Sequence, residues 1–262
     1  MPSKWWGKYD VPQDEIRKWR IGPTTLWICR RLSEWQISTE TNDDPFDRSM
    51  ENCVPAQRIE AGPEAQSSRY GFLATTKHID LLPALADRPI VTSPETLLYL
   101  ASGEEITLYF STPLWIKLRS GDPLKELCDM PLFKPSDTWF GPSTIEGEMC
   151  YATRSSARTT VPDLTLRPHR AYTSVLCRNQ GTGKLGLSRL KVPVVHLSLY
   201  ANEEGQLWTE TLTLNREEDE ELAAVQVGAA PPPESGATAL VSDPRKQMPE
   251  RLITRAFGAI FR

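Results

Sequence analysis

The sequence predicts an all-β protein of sandwich architecture, as two packed sandwich-like domains or one large sandwich, with a C-terminal helix. Three observations carry that reading. Short runs rich in Trp and β-branched residues recur along the chain, as in TTLWICRR at 24–31, and such side chains suit a pleated, half-buried surface. Gly, Asn and Pro turns separate these runs, without helical segments between them, which favours a sandwich over βαβ units. Only the last stretch, PERLITRAFGAIFR at 249–262, places its apolar residues at helical spacing.

In order along the chain, 24–31 and 34–39 form an expected hairpin, with Leu32 and Ser33 near its turn. Residues 43–64 are polar and aperiodic and read as a long loop. A strand near 70–76 follows; 81–85 is broken by Pro83 and is too short for a stable helix. From 88 to 121, apolar runs alternate with Pro94, Ser102–Gly103 and Pro113. Gly103 suits a turn, and Pro113 marks an edge strand or a bulge. TTLWICRR echoes TPLWIKLR at 112–119, which two sheets each burying a Trp would explain. Pro123, Pro131 and Pro135 cluster at a soft boundary. Beyond it, 145–153, 172–178, 185–190, 192–200 and 206–214 are strand candidates. REEDEE at 216–221 reads as a solvated face or a helix start, and GAAPPPESGA at 228–237 as a stiff, exposed connector. The expected division is 1–125, an N-terminal β domain with the excursion at 43–64; 126–227, a C-terminal sandwich; 228–248, a connector; and 249–262, an amphipathic helix. Pro249 would open that helix, Glu250 would suit its positive end, and Leu252, Ile253, Ala256, Phe257, Ile260 and Phe261 would share its apolar face.

Composition limits function. Thirty Lys and Arg stand against 34 Asp and Glu among 262 residues, a formal charge of -4. That argues against nucleic acid, whose binders lean on a positive field. No apolar run is long enough to span a bilayer, and MPSKWWGKYD has no apolar signal core, so the expected location is the cytoplasm. Five cysteines without a CxxC pair read as free thiols in a reducing compartment. The three histidines are scattered, and neither a zinc site nor a cofactor is expected. Of the eight Trp, only Trp5 and Trp6 stand in contexts open enough for exposure.

The densest chemistry lies in PSDTWFGPSTIEGEMCYATR at 135–154. If 145–153 is one strand, Ile145, Gly147, Met149, Tyr151 and Thr153 share its buried face. Glu146, Glu148 and Cys150 share the other, with the two carboxylates roughly 6–7 Å apart. That spacing suits paired acids or a divalent metal, and Asp137 could join from the preceding loop. Asp137, Glu146 and Glu148 are therefore the candidate catalytic residues, with Glu146 and Glu148 as candidate metal ligands. Any solvated strand face has the same spacing. Trp139, Phe140 and Gly141 read as a packed corner; Trp139, Arg154, Arg251 and Arg255 are the candidate binding residues. GTGKLG at 181–186 lacks the Ser or Thr and the helix of a phosphate loop. No GxSxG or HExxH pattern occurs.

The blocks IGPTTLWI, LLPALADRPIVTSPETLLYLASGEEITLYFSTPLWIKLRSG, SDTWFGPSTIEGEMCYA and LWTETLTLNREEDEELA resemble a prokaryotic family known under a domain-of-unknown-function label. The resemblance implies no activity and no catalytic residues. Through neighbouring genes it implies an association with a small mechanosensitive channel, and so a soluble accessory protein. The expected function is a non-catalytic binding or accessory module whose partner is another protein. One alternative is a hydrolase or divalent-metal protein using the acidic cluster. Another is a membrane-peripheral protein that docks through 249–262.

Overall fold

A computed structural model of the chain describes residues 4–143, 145–153, 156–217 and 222–258. Nearly all regular structure in it is strand. The first seven strands are β1 (Gly7–Asp10), β2 (Ile16–Ile21), β3 (Thr24–Arg30), β4 (Glu34–Thr41), β5 (Met50–Ala56), β6 (Gln66–Gly71) and β7 (His78–Ala84). Then come β8 (Ile90–Thr92), β9 (Leu98–Leu100), β10 (Glu105–Pro113), β11 (Trp115–Ser120) and β12 (Lys125–Pro131). The hairpin β13 (Ser136–Phe140) and β14 (Glu148–Ala152) precedes β15 (Arg170–Asn179), β16 (Leu185–Leu187), β17 (Arg189–Val192) and β18 (Leu199–Ala201). The chain closes with β19 (Leu207–Trp208), β20 (Leu212–Arg216), β21 (Leu222–Val227), β22 (Ala239–Ser242), β23 (Leu252–Arg255) and β24 (Phe257–Gly258). Among the described residues the only helical elements are short 3-10 turns.

The chain forms two compact units, each assembled from alternating segments. The first comprises Met1–Ala84, Leu114–Lys134 and Arg167–His169. It is a sandwich of a four-stranded sheet, β1-β7-β11-β12, and a five-stranded sheet, β5-β2-β3-β4-β6. Trp27 on β3 and Trp115 on β11 are both buried, one on each sheet. Trp5 and Trp6 are buried too; the Trp5 indole N–H donates to the Pro168 carbonyl at 2.9 Å. The expectation that they stand exposed is corrected: an indole leaves water readily once its N–H has a partner.

The polar stretch at 43–64 also differs from expectation, because it carries β5. Its register against β2 shifts between Lys18 and Arg20, where Cys53 takes a positive φ of 51°. That is a bulge on an edge strand, where Pro55 costs no ladder bond inside the sheet. A bulge with a proline and an unpaired outer side hides the period-two signal.

The second unit comprises Leu85–Pro113, Pro135–Leu166 and Arg170–Arg262. Its largest sheet has eight strands, in the order β22-β18-β19-β15-β20-β21-β23, with β10 paired to β15. A five-stranded sheet runs β13-β14-β8-β17-β24, and β16-β9 form a ribbon. The expected connector at 228–248 is part of this architecture: Pro231 and Pro232 are buried, and β22 pairs with β18.

Among the described residues the expected C-terminal helix is absent, and 259–262 of its expected span lie outside them. Residues 252–255 are β23, the end strand of the large sheet on β21, and 257–258 are β24, the end strand of the five-stranded sheet on β17. The cause is backbone accounting. Both sheets would otherwise end on a row of unpaired N–H and C=O groups, and one short segment satisfies both edges. Lys191 donates its backbone N–H to the Ala256 carbonyl between the two strands, at 2.9 Å. Ala256 and Phe257, expected on the apolar face of that helix, are buried at 0 % and 1 % exposure.

Candidate binding site on the β13–β14 hairpin

The hairpin pairs Asp137 with Tyr151, Thr138 with Cys150, Trp139 with Met149 and Phe140 with Glu148. Two glycines shape its turn by close approach. A Cβ on Gly141 would lie 2.0 Å from the Glu146 carbonyl oxygen. One on Gly147 would lie 2.7 Å from the Trp139 indole and from the Phe140 carbonyl. The turn therefore folds against the tryptophan, whose N–H donates to the Ser143 carbonyl at 2.7 Å. The Ser143 hydroxyl accepts from the Ile145 and Glu146 N–H groups at 3.2 and 3.0 Å.

Alternation along the strands separates two faces. One bears Asp137, Trp139, Met149 and Tyr151. Here Trp139 is 37 % exposed and Met149 45 %, and Ile145 in the turn is 89 % exposed. Arg88 frames this face. Its guanidinium lies 3.4 Å from the Asp137 carboxylate and 5.3 Å from the Tyr151 ring centre. The Tyr151 hydroxyl donates to Asp87 at 3.1 Å; burial first, and then that bond, push its pKa up.

The other face carries Thr138, Phe140, Glu148 and Cys150. Phe140 and Cys150 are buried in a cluster with Val91. Lys191 reaches this face from β17 with only 4 % of its side chain exposed. Its ammonium bonds the Glu148 carboxylate, donates to the Thr254 hydroxyl at 2.6 Å and lies 5.8 Å from the Phe140 ring centre. Burial, then the Glu148 charge, push the Cys150 thiol up to about 11, so it is no nucleophile at neutral pH.

The three acids do not converge. Asp137 and Glu148 project from opposite faces, each matched to a cation, and Glu146 is exposed in the turn. The strand starts at Glu148, so the face expected to be buried is in part open (Ile145, Met149), and Cys150, expected on the open face, is buried. Among the described residues no group of three or more His, Cys, Asp or Glu side chains is placed to hold a metal ion. Arg251 lines a separate small cleft with Asn215, Leu222 and Ile253. Arg255 lies on β23 opposite Leu222, and Arg154 lies outside the described residues. Sequence reasoning missed Arg88, Arg189 and Lys191; the alternation Arg189-Leu190-Lys191-Val192 was the one available signal.

No curated protein and no solved structure matches the chain. Among the described residues no helix is long and apolar enough to cross a membrane. The family model described as protein of unknown function (DUF432) matches residues 5–262. This β-sandwich chain, matched over nearly its whole length, belongs to the DUF432 family.

Proposed function

We propose that the protein is a non-catalytic binding module and that the open face of the β13–β14 hairpin is where it meets a partner protein. The observation that carries this is the directly paired, outward Trp139 and Met149. Trp, Met and Arg are enriched at the centres of protein interfaces, and here an indole and a thioether stand side by side with Arg88 and Asp137 at the rim. The indole is held by the turn beneath it, so little side-chain freedom is lost on binding. The partner chemistry this fits is an apolar side chain entering beside the indole, flanked by polar groups for Arg88 and Asp137. The family resemblance supplies one candidate partner, a small mechanosensitive channel.

The test is co-purification from the native cells, quantified by mass spectrometry, of wild-type protein against a Trp139→Ser/Met149→Ser variant. The reading expects a stoichiometric partner with the wild type that falls at least about tenfold with the variant, since hot-spot truncations cost about 2 kcal/mol or more. Equal recovery with both proteins refutes it.

A further inference from the structure

We propose a second binding site, for a phosphate-sized oxyanion, on the inner face of the five-stranded sheet of the second unit, with Arg189 as its anchor. A cleft of about 230 Å³ opens there. Pockets for drug-sized ligands hold about 300–1,000 Å³, so this one suits a small group. Its polar lining residues are Arg189, Ser93, Thr138, Thr153 and Ser156. Among the described residues, no carboxylate lines it.

Arg189 is fixed in place and uncompensated. Its Nη2 donates to the Trp139 carbonyl at 3.0 Å and to the Thr138 hydroxyl at 3.1 Å. The guanidinium lies 5.3 Å from the Phe140 ring centre. Those two bonds use both Nη2 hydrogens; no partner among the described residues takes Nη1 or Nε. Two strands of the sheet explain the rigidity. A Cβ on Gly258 of β24 would lie 3.1 Å from the Phe140 ring of β13, and Arg189, on β17 opposite Gly258, reaches from beside that ring to bond β13. The neighbouring cation, Lys191, is matched by Glu148. Arg189 has no ion-pair partner among the described residues, in a chain whose formal charge is -4. A preorganised guanidinium with free donors favours an oxyanion. Hydroxyls around it favour a tetrahedral ion, whose several oxygens accept more bonds than a planar carboxylate.

The test is titration of the full chain with inorganic phosphate, followed by the side-chain and backbone 15N signals, at constant ionic strength set with sodium chloride. Acetate is titrated in parallel. The expected result is saturable binding that moves the Arg189 Nε signal and the Ser93 and Thr153 amides, with acetate weaker. Arg189→Gln is expected to weaken phosphate binding at least about tenfold, the loss of charge-assisted hydrogen bonds. No saturable shift, shifts confined to other residues, equal binding of acetate, or unchanged affinity in Arg189→Gln would each overturn the proposal. Should Arg189→Gln fail to fold, Arg189→Lys replaces it: the charge stays, the fork is lost, and affinity is again expected to fall.

Discussion

Replacing Glu148 by Gln should destabilise the second unit more than replacing its partner, Lys191, by Met. The structure sets this order. The Lys191 side chain is 4 % exposed and that of Glu148 is 46 % exposed. With Glu148→Gln, a buried ammonium loses its counter-charge and is left with neutral partners, the new amide oxygen, the Thr254 hydroxyl and the Phe140 ring. Breaking a fully buried pair costs about 3–5 kcal/mol, and an exposed pair contributes about 0–1 kcal/mol. A pair with one end buried and one half in water falls between them, at about 2 kcal/mol. With Lys191→Met, the buried charge is gone, the methylene stem is largely retained, and Glu148 is rehydrated. That change should stay within about 1 kcal/mol of wild type, in either direction. For a chain of this size about 2 kcal/mol corresponds to roughly 4–8 °C in melting temperature. Differential scanning calorimetry at pH 7 on both single variants and the double variant measures it. The double variant should return close to Lys191→Met, because the stranded charge is absent from both. If Glu148→Gln melts with the wild type, or Lys191→Met is the worse of the two, Glu148 does not hold a buried cation and its structural assignment fails.

Other expectations follow from the same contacts. Gly147→Ala should cost about 1–3 kcal/mol, the range for overpacking, and should shift Trp139 fluorescence, because the new methyl meets the indole at 2.7 Å. Burial pushes the thiols of Cys150 and Cys177 up to about 11 and about 12, and Cys29 is buried as well. A thiol reagent at pH 8 should therefore spare these three in native protein and reach all five cysteines in denaturant. Burial opposes ionisation of Asp47, but hydrogen bonds from Ser49, Arg20 and Asn42 outweigh it and hold the carboxyl below its ordinary 3.8. A depressed folded-state pKa adds stability above the unfolded value, and that stability is lost as pH falls through the folded one. Asp47→Asn should thus flatten the acid limb of the stability curve below about pH 4, measured by urea titration at stepped pH.

The parts of the fold visible in the sequence are those with strong local signals. The β3–β4 hairpin was legible from Trp27, Trp35 and the β-branched residues beside them. The all-β class and the paired-Trp echo of β3 and β11 were legible too. The C-terminal strands were not, because apolar residues over so short a run fit helix and strand periods alike; what decides is two open sheet edges contributed by β17 and β21. The hairpin site was half legible. Its residues stood out by type, yet the strand begins at Glu148, beyond a turn whose length the sequence does not display. Burial of Cys150 then depends on Val91 and Phe140 from other strands. Gly141 read as part of a packed corner and Gly147 as a member of the strand's buried face; the structure puts both at close approaches, to the Glu146 carbonyl and the Trp139 indole, and Gly147 also takes a positive φ of 159°. Nothing local marks the alternation of segments between the two units.

The open face of the hairpin as a partner surface is best tested by a photo-crosslinking amino acid placed at Met149 in the native cells. The same group at Leu73, fully exposed in the first unit, is the control. The account predicts one discrete adduct from position 149, lost on adding Trp139→Ser, and none from position 73. No adduct at 149, or the same adducts from both positions, contradicts it.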